Sequence, residues 1–600
     1  MFLHSASVMT AAWAASRVRM PLTVAASVLP APLNEFNYGS VTVTSELHRK
    51  QFDNTHAVLM GLSEDSLLKP FRQMVGQPAP GEELGGWYKY DPNYDWHTFD
   101  AGFAPSATFG QWISALARAY AINQDAAVRE KILRLNLLYA KTISGEFYSL
   151  KNRFPAYCYD KLVCGLIDSH QWAGDSNAYR ILEQTTDTAI PYLPGKAIKH
   201  GQSWRPGTDV SYTWDESHTV PENMFLAYQR GAGERYLKMG KAYLDDEYFD
   251  PLAEGHCPFE GRHAYSHVNA LCSAMQAYLT LGSRRHLLAA SNGFDFLQAQ
   301  SYSTGGWGPD ETLRAPNSDD VEASLQNTHH SFETPCGAYA HFKLTRYLLR
   351  VTGNSQYGDS MEQVMYNTIL GALPLQPDGR TFYYSDYNFK AQKVYCEHRW
   401  PCCSGTMPQI ATDYWISSYF HDRDGVYVNL YMPSSLRWTQ DGTQVSISQE
   451  TSYPTDSQIR IDVSPSRQLD FALRLRIPSW ANGASVSVNG KRMSAVVRPG
   501  QFFTIQRTWK GTDHVELELP LRMRLEPIDS RHPRTVALLA GPTVLFAIAD
   551  KLPQVSGQEL LSAKSTGNSE WIVQTDNTSF RLRPFTAISD QQYSTYLMVK

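Results

Sequence analysis

A change of period constrains this chain more than any other feature. From about Phe109 to Leu373 apolar residues recur in paired segments at the helical spacing, and after Gly425 they alternate with polar ones as in strands. The helical half repeats a hairpin in which an amphipathic segment ends in a Gly-containing turn and a second segment follows. LAYQRGAGERYLKMGKAYL turns at Gly233, MQAYLTLGSRRHLLAASNGFDFL at Gly282 and LTRYLLRVTGNSQYGDSMEQVMYNTIL at Gly353, with fainter copies at Gly174 and near Asn123. Irregular spacing argues against an open solenoid. Antiparallel helix pairs with long intervening loops close instead into an (α/α) toroid whose loops ring one mouth.

The second half reads as a β-sandwich. VYVNLY, VSISQE, QIRIDV, DFALRLRIPSW, ASVSVNG, FFTIQRTW, HVELELP and TVALLAGPTVLFAI are strand-like, and Asn489-Gly490 is a strong hairpin turn. FNYGSVTVTS, near residue 40, is expected to join this sandwich from the other end of the chain. The organisation expected is an export-signal-like or disordered start over 1–31, a helical domain with an N-terminal β segment over 32–425, a β-sandwich over 426–548 and a β-rich extension over 549–600.

The 600 residues suffice for several cores at roughly 100–200 residues each. A net charge of −5 with 19% charged residues gives no basic footprint, which disfavours nucleic acid as a partner. The 12% aromatic content, with 14 Trp and 34 Tyr, suits both sugar stacking and an aromatic helical core. No run of about 18 apolar residues predicts a membrane span. Residues 2–30 are rich in small and apolar types and nearly free of acids, as in an export signal, although no basic region precedes Phe2. That stretch implies a periplasmic or secreted protein, or a cytoplasmic one if it is not a signal.

Eight cysteines in this length are too sparse for a disulfide scaffold. Cys402 and Cys403 are adjacent, so a relaxed bond between them is difficult, whereas both can lean on one soft metal ion. Upstream, HHSFETPCGAYAHFKLTRYL holds Glu333 and Cys336 at an expected helix start, where the dipole favours anions. One carboxylate and three thiolates would make a tetrahedral zinc set. The same residues also read as buried apolar cysteines and a helix-start acid. YSTGGWGPDETL, a glycine-rich loop suited to close approach, delivers Asp310 and Glu311 beside Trp307, whose ring could keep Glu311 protonated. FYYSDYNF brings Tyr383, Tyr384, Asp386 and Tyr387, either a sugar-binding wall or a packing layer.

Together, GGWG with ETL, FETPCGAYAHFKLTRYLLRVTG, FYYSDYN and WPCCSGTMPQ, followed by GVYVNLY, resemble the β-L-arabinofuranosidase glycoside hydrolases of families 127 and 146, over roughly residues 45–545. The resemblance implies an (α/α)6 barrel followed by β-sandwich domains, and a zinc ion held by one glutamate and three cysteines. Matched by motif, Glu333, Cys336, Cys402 and Cys403 are the ligands, Cys402 is also the nucleophile, and Glu311 is the general acid/base. Zinc would hold Cys402 as thiolate, and Glu311 would serve both steps of a retaining mechanism.

Some positions depart from the family pattern. Its glutamate-x-cysteine pair is here Glu333-Thr334-Pro335-Cys336, one residue longer, so a backbone bulge is expected. A sugar-binding histidine-lysine pair is here Asp160-Lys161, placing an acceptor where a donor is usual. His218 and His267 fall near other family histidines. The substrate-binding set expected is therefore Asp160, His218, His267, Trp307, Tyr384 and Tyr387. The substrate class expected is a glycan ending in a furanose such as β-L-arabinofuranose, with homodimerisation left open. The rival readings are a lyase or epimerase on the same barrel with structural zinc, and a carbohydrate-binding protein without turnover.

Overall fold

The structure is a computed structural model that describes residues 32–94, 102–149, 154–202, 215–549, 551–552, 554–576 and 578–600. The export-signal-like segment 1–31 lies outside the described residues.

Six helices form an inner ring: α1 (Pro105–Asn123), α2 (Pro155–Ala173), α3 (Val220–Gln229), α4 (Ala264–Leu281), α5 (Thr334–Thr352) and α6 (Cys402–Ser418). Each packs on the next, and α6 closes the ring on α1. Amphipathic helices such as Ala178–Ala189 and Arg284–Gln298 pack outside, burying one stripe only, and complete an (α/α)6 barrel. The inner helices are buried around nearly their whole circumference. Gly110 shows how closely two of them approach, since a Cβ there would meet Lys161 O at 2.1 Å.

The helix ends explain the hairpin pattern of the sequence. Proline occupies the first turn of α1, α2, α3 and α5, where its missing N–H is not needed. Gly174, Gly282 and Gly353 close α2, α4 and α5 with φ of +64°, +69° and +66°, a left-handed cap that favours glycine. The inner helices run parallel. Ser114 in the third turn of α1 bonds Asp168 of α2, and Trp112 of α1 bonds the Ser404 carbonyl of α6. Their N-termini therefore share one mouth, and their positive dipole ends converge there.

Away from that mouth the barrel axis is polar. Asp413 accepts from Arg118 at 3.0 Å, Arg346 at 3.1 Å and the Tyr38 hydroxyl at 3.1 Å, and Asp168 pairs with Arg118 and Arg230, each at 2.9 Å. Tyr38, Arg118, Asp168, Arg230 and Arg346 line a cavity of about 610 Å³ with Glu222, Lys343 and Arg350. Charges so buried persist only when paired.

Strand β1 (Asn34–Glu35) and strand β2 (Val41–Val43) precede the barrel, and β3 (Phe332–Glu333) pairs with β4 (Tyr384–Ser385) at its mouth. After α6 come β5 (Tyr419–Asp422), β6 (Gly425–Val428), β7 (Ser434–Gln440), β8 (Thr443–Thr451), β9 (Gln458–Pro465) and β10 (Leu469–Ile477). β11 (Ser485–Val488), β12 (Lys491–Arg492), β13 (Gln501–Trp509) and β14 (Asp513–Glu518) follow. One sheet has the order β1-β5-β6-β10-β13 and the facing one β12-β11-β14-β9-β8-β7-β2. Their inner faces, including Trp438, Ile461, Phe471 and Trp509, share one core with Trp415 of α6. FNYGSVTVTS supplies β2 to the sandwich, the residues just before it supply β1, and Asn489-Gly490 turns between β11 and β12 with both φ positive.

TVALLAGPTVLFAI, expected in the sandwich, lies instead in a third sheet as Thr535–Ala540 and Thr543–Ile548, together with the strands of the C-terminal tail. Both strands are almost entirely buried, so they lack the one-sided alternation that would assign them to a sheet. The tail braces the glycine-rich loop: Ser303 N–H donates to Tyr596 Oη at 2.7 Å. Among the described residues no helix is long and apolar enough to cross a membrane.

Candidate active site

The cysteine cluster sits at the barrel mouth, at the N-terminal ends of α5 and α6. Glu333 ends β3 and is the N-cap residue of α5, Cys336 stands in the first turn of α5, and Cys402-Cys403 open α6. Cys336 Sγ lies 3.4 Å from both Cys402 Sγ and Cys403 Sγ. Glu333 Oε1 lies 3.4 Å from Cys402 Sγ and 3.7 Å from Cys403 Sγ. All four ligand atoms are within 4.8 Å of one another. A tetrahedral zinc site has sulfur–sulfur edges of about 3.8 Å and sulfur–oxygen edges of about 3.5 Å, from the usual bond lengths. The donor set therefore fits one such ion. Glu333 Oε2 is buried without a hydrogen bond, a cost that a cation bound to this carboxylate would relieve. All three cysteines are free thiols.

The expected bulge between Glu333 and Cys336 is absent. Strand gives way to helix between these two residues, and Thr334-Pro335 form the first step of the helix, so the extra residue is absorbed by the turn itself.

The four groups differ in ionisation. Burial pushes Cys336, Cys403 and Glu333 up. Burial also opposes the Cys402 thiolate, but hydrogen bonds from Cys336, Cys403 and the Tyr383 hydroxyl, the last at 3.4 Å, outweigh it and hold this thiol well below its ordinary value. Among the three thiols, Cys402 is the one whose surroundings favour the thiolate most.

Glu311 reaches the same mouth from the Gly305–Thr312 loop. Asp310 and Glu311 both have positive φ, of 52° and 54°, and a Cβ on Gly308 would meet Ala264 Cβ at 2.4 Å. This backbone strain is held by packing against α4. The carboxylates of Glu311 and Glu333 and the ring of His263 bring polar atoms within 4.8 Å of one another. Glu311 accepts from the Tyr384 hydroxyl and lies 3.2 Å from His263 Nε2. Its expected raised pKa is a correction: burial does raise it, but His263 and the two tyrosine hydroxyls more than compensate and hold it below the carboxylate range.

Other residues singled out in the sequence separate into two groups. Tyr384 is at the site, holding Glu311, with the His330 ring stacked on it at 4.0 Å. Trp307 is 1% exposed, packs on Phe332 and directs its indole N–H to His341 at 3.2 Å. Tyr387 is equally buried, edge-on to Tyr302 at 4.8 Å beneath the glycine loop. Both are packing residues here and present no face to a sugar. Asp160 is also corrected, because Lys161, Thr219 and Asn223 occupy both its oxygens at 2.7–2.8 Å. It holds Lys161 in place. His218 and His267 stack on each other at 4.5 Å, fully buried, and burial holds both far below the imidazole range, hence neutral.

Two groups at the mouth escaped the sequence reading. His263 caps α4, and a pair of histidines four apart at a helix start was the available signal. Glu216, beside His263 and Lys161, had none.

Comparisons with known proteins agree with this architecture. The profile described as β-L-arabinofuranosidase, GH127 catalytic domain, matches residues 40–414, and that for the GH127 middle domain matches 425–521. A GH127 β-L-arabinofuranosidase from Geobacillus stearothermophilus T6 superposes with a TM-score of 0.69 at 19% identity, over 93% of this chain and 100% of that one. A second solved GH127 β-arabinofuranosidase gives 0.70 at 17% identity, over 95% and 98%. A search of curated proteins gives no match. A barrel whose mouth gathers an acid, a basic partner and a thiol cluster is here that of a glycoside hydrolase acting on a glycan. The chain belongs to glycoside hydrolase family 127.

Proposed function

We propose that the chain is a retaining exo-glycosidase that removes a terminal furanose, β-L-arabinofuranose foremost, with Cys402 as nucleophile and Glu311 as acid/base. The observation that carries this reading is the geometry: Cys402 Sγ lies 3.4 Å from Cys336 Sγ and from Glu333 Oε1, and Glu311 enters the same mouth from a separate loop. Cys402 attacks the anomeric carbon while the proton that Glu311 shares with His263 passes through the Glu311 carboxyl to the departing glycosidic oxygen. The thioglycosyl bond formed is then broken by a water that Glu311, now carboxylate, deprotonates, and two inversions restore the configuration. Tyr384 and Tyr383 hold the acid/base and the sulfur in place through their hydroxyls. Glu333, Cys336, Cys402 and Cys403 would hold zinc, which when bound supplies charge that keeps the thiols deprotonated. The exported location suggested by the first residues belongs to this reading as well.

Metal analysis of the purified protein is expected to return about one zinc per chain. Cys336→Ser is expected to lower both the zinc content and the Tm, read by mass spectrometry and calorimetry. Full zinc occupancy in that variant would remove Cys336 from the ligand set.

His263 and Glu311 share a proton in this reading. Burial opposes a charged His263, but Glu311 and Glu216 raise it above the ordinary imidazole range, while Glu311 is held low. The imidazolium form is complete below the free value of about 6.5 and is lost as pH rises through the higher folded value. The proton available for the leaving group therefore persists to higher pH than a lone carboxyl would allow. His263→Ala is expected to move the alkaline limb of kcat/KM to lower pH; an unmoved limb would show that the proton is not shared.

A further inference from the structure

Glu216 is buried at the mouth in a way that the reaction just described does not use. It precedes α3 with φ +47° and ψ +34°, a left-handed conformation that a residue with a Cβ adopts at a cost. That turn directs the carboxylate inward, where the residue is 3% exposed. One oxygen lies 3.6 Å from Lys161 Nζ and the other 3.7 Å from His263 Nδ1, both beyond hydrogen-bonding reach. Oε2 is buried without a hydrogen bond. Its neighbours are committed elsewhere: Lys161 bonds Asp160 at 2.8 Å and Thr219 at 3.1 Å, and His263 lies against Glu311. Burial pushes the Glu216 carboxyl up, Lys161 and His263 oppose this, and Cys402 is close enough to raise it further.

Lys161 and His263 offset part of the cost of burying this carboxyl, but neither donates a hydrogen bond to it, so its hydrogen-bonding capacity is left unused. The ligand that uses it must donate to Glu216 and tolerate an ammonium on one side and an imidazole on the other. An amino sugar would meet those two cationic partners, and a uronate would meet Glu216 itself. A neutral hydroxyl suits all three, accepting from Lys161 while donating to Glu216. We propose that Glu216 is a specificity-determining residue that binds free hydroxyls of the terminal sugar together with Lys161, restricting the site to neutral sugars unsubstituted at those positions. The assignment rests on the glycosidase reading, since the sugar is the one held between Cys402 and Glu311.

The test uses full-length zinc-loaded protein with 4-nitrophenyl β-L-arabinofuranoside and its 2-, 3- and 5-deoxy analogues. Glu216→Ala is expected to lower kcat/KM on the parent by about 10- to 100-fold, the range for hydrogen bonds to a charged group. At the hydroxyl that Glu216 holds, the deoxy analogue should cost the wild type a similar factor and Glu216→Ala nothing more. An equal loss on every analogue, or no loss at all, overturns the proposal. Glu216→Gln, which keeps the shape, serves if the alanine variant does not fold, with the same outcomes. Should the wild type turn over no aryl furanoside, the hydrolase reading fails by itself, and L-arabinose binding by calorimetry decides Glu216. Weaker binding in the variant supports the proposal; unchanged binding, or none to the wild type, overturns it.

Discussion

Cys402→Ala is expected to lower turnover of an aryl β-L-arabinofuranoside by about 10⁵-fold, the scale seen when a covalent nucleophile is removed. The loss is this large because nothing else described at the mouth can replace the sulfur. Cys336 and Cys403 are fully buried beneath Cys402, so neither can reach the anomeric carbon in its place. Because Cys402 is also a proposed zinc ligand, metal content must be measured alongside rate. Added azide separates the two effects. If the fold and the remaining ligands persist, azide attacks the anomeric carbon from the vacated side and gives the α-glycosyl azide. Retention of wild-type activity by Cys402→Ala would end the nucleophile assignment.

Glu311→Ala should behave differently, and the difference is the more searching test. Loss of a general acid/base costs about 10²–10⁴-fold, but unevenly across substrates. An activated phenol leaves without a proton, so its release should suffer little, whereas an alkyl aglycone should be almost inert. Glycosylated enzyme should then accumulate, visible as a burst of phenol and as a mass increase on the Cys402 peptide. Azide, needing no base, should restore the second step and give the β-glycosyl azide. Zinc content should stay at its wild-type level, since Glu311 is outside the proposed ligand set. A loss independent of the leaving group would place Glu311 outside proton transfer.

Much of the fold was legible because its signals are local. Gly174, Gly282 and Gly353 mark helix ends by a conformation that favours one residue type, and Asn489-Gly490 marks a hairpin for the same reason. The sheet that holds TVALLAGPTVLFAI was not legible, since a strand buried on both faces reads alike wherever it is placed. In the site, Cys402-Cys403 and Glu333 stood out because adjacent thiols have few structural uses. Trp307 and Tyr387 misled because an aromatic ring near a glycine loop packs beneath it as readily as it faces a ligand. Asp160 was hard to place for a related reason: its partners Thr219 and Asn223 come from the turn before α3 and from α3 itself, 59 and 63 positions on, and only the fold brings them to its oxygens. The direction of the Glu311 shift likewise depends on His263 and Tyr384, which lie 48 and 73 positions away in the chain.

The two short strands ahead of the barrel carry a consequence for how this protein can be made or cut. β1 pairs with β5 at the edge of one sandwich sheet, and β2 pairs with β7 at the edge of the other. The start of the described chain therefore waits for residues roughly four hundred positions later before either edge is covered, a long closure by the standards of domain folding. On a ribosome the barrel's helices would emerge and begin packing while those two edges stayed bare. An expression fragment stopping near residue 418 would keep every group of the cysteine cluster yet leave β1 and β2 unpaired, exposing Phe36, Val41 and Val43. Such a fragment should be prone to self-association, and co-expression with the missing sandwich is the natural remedy.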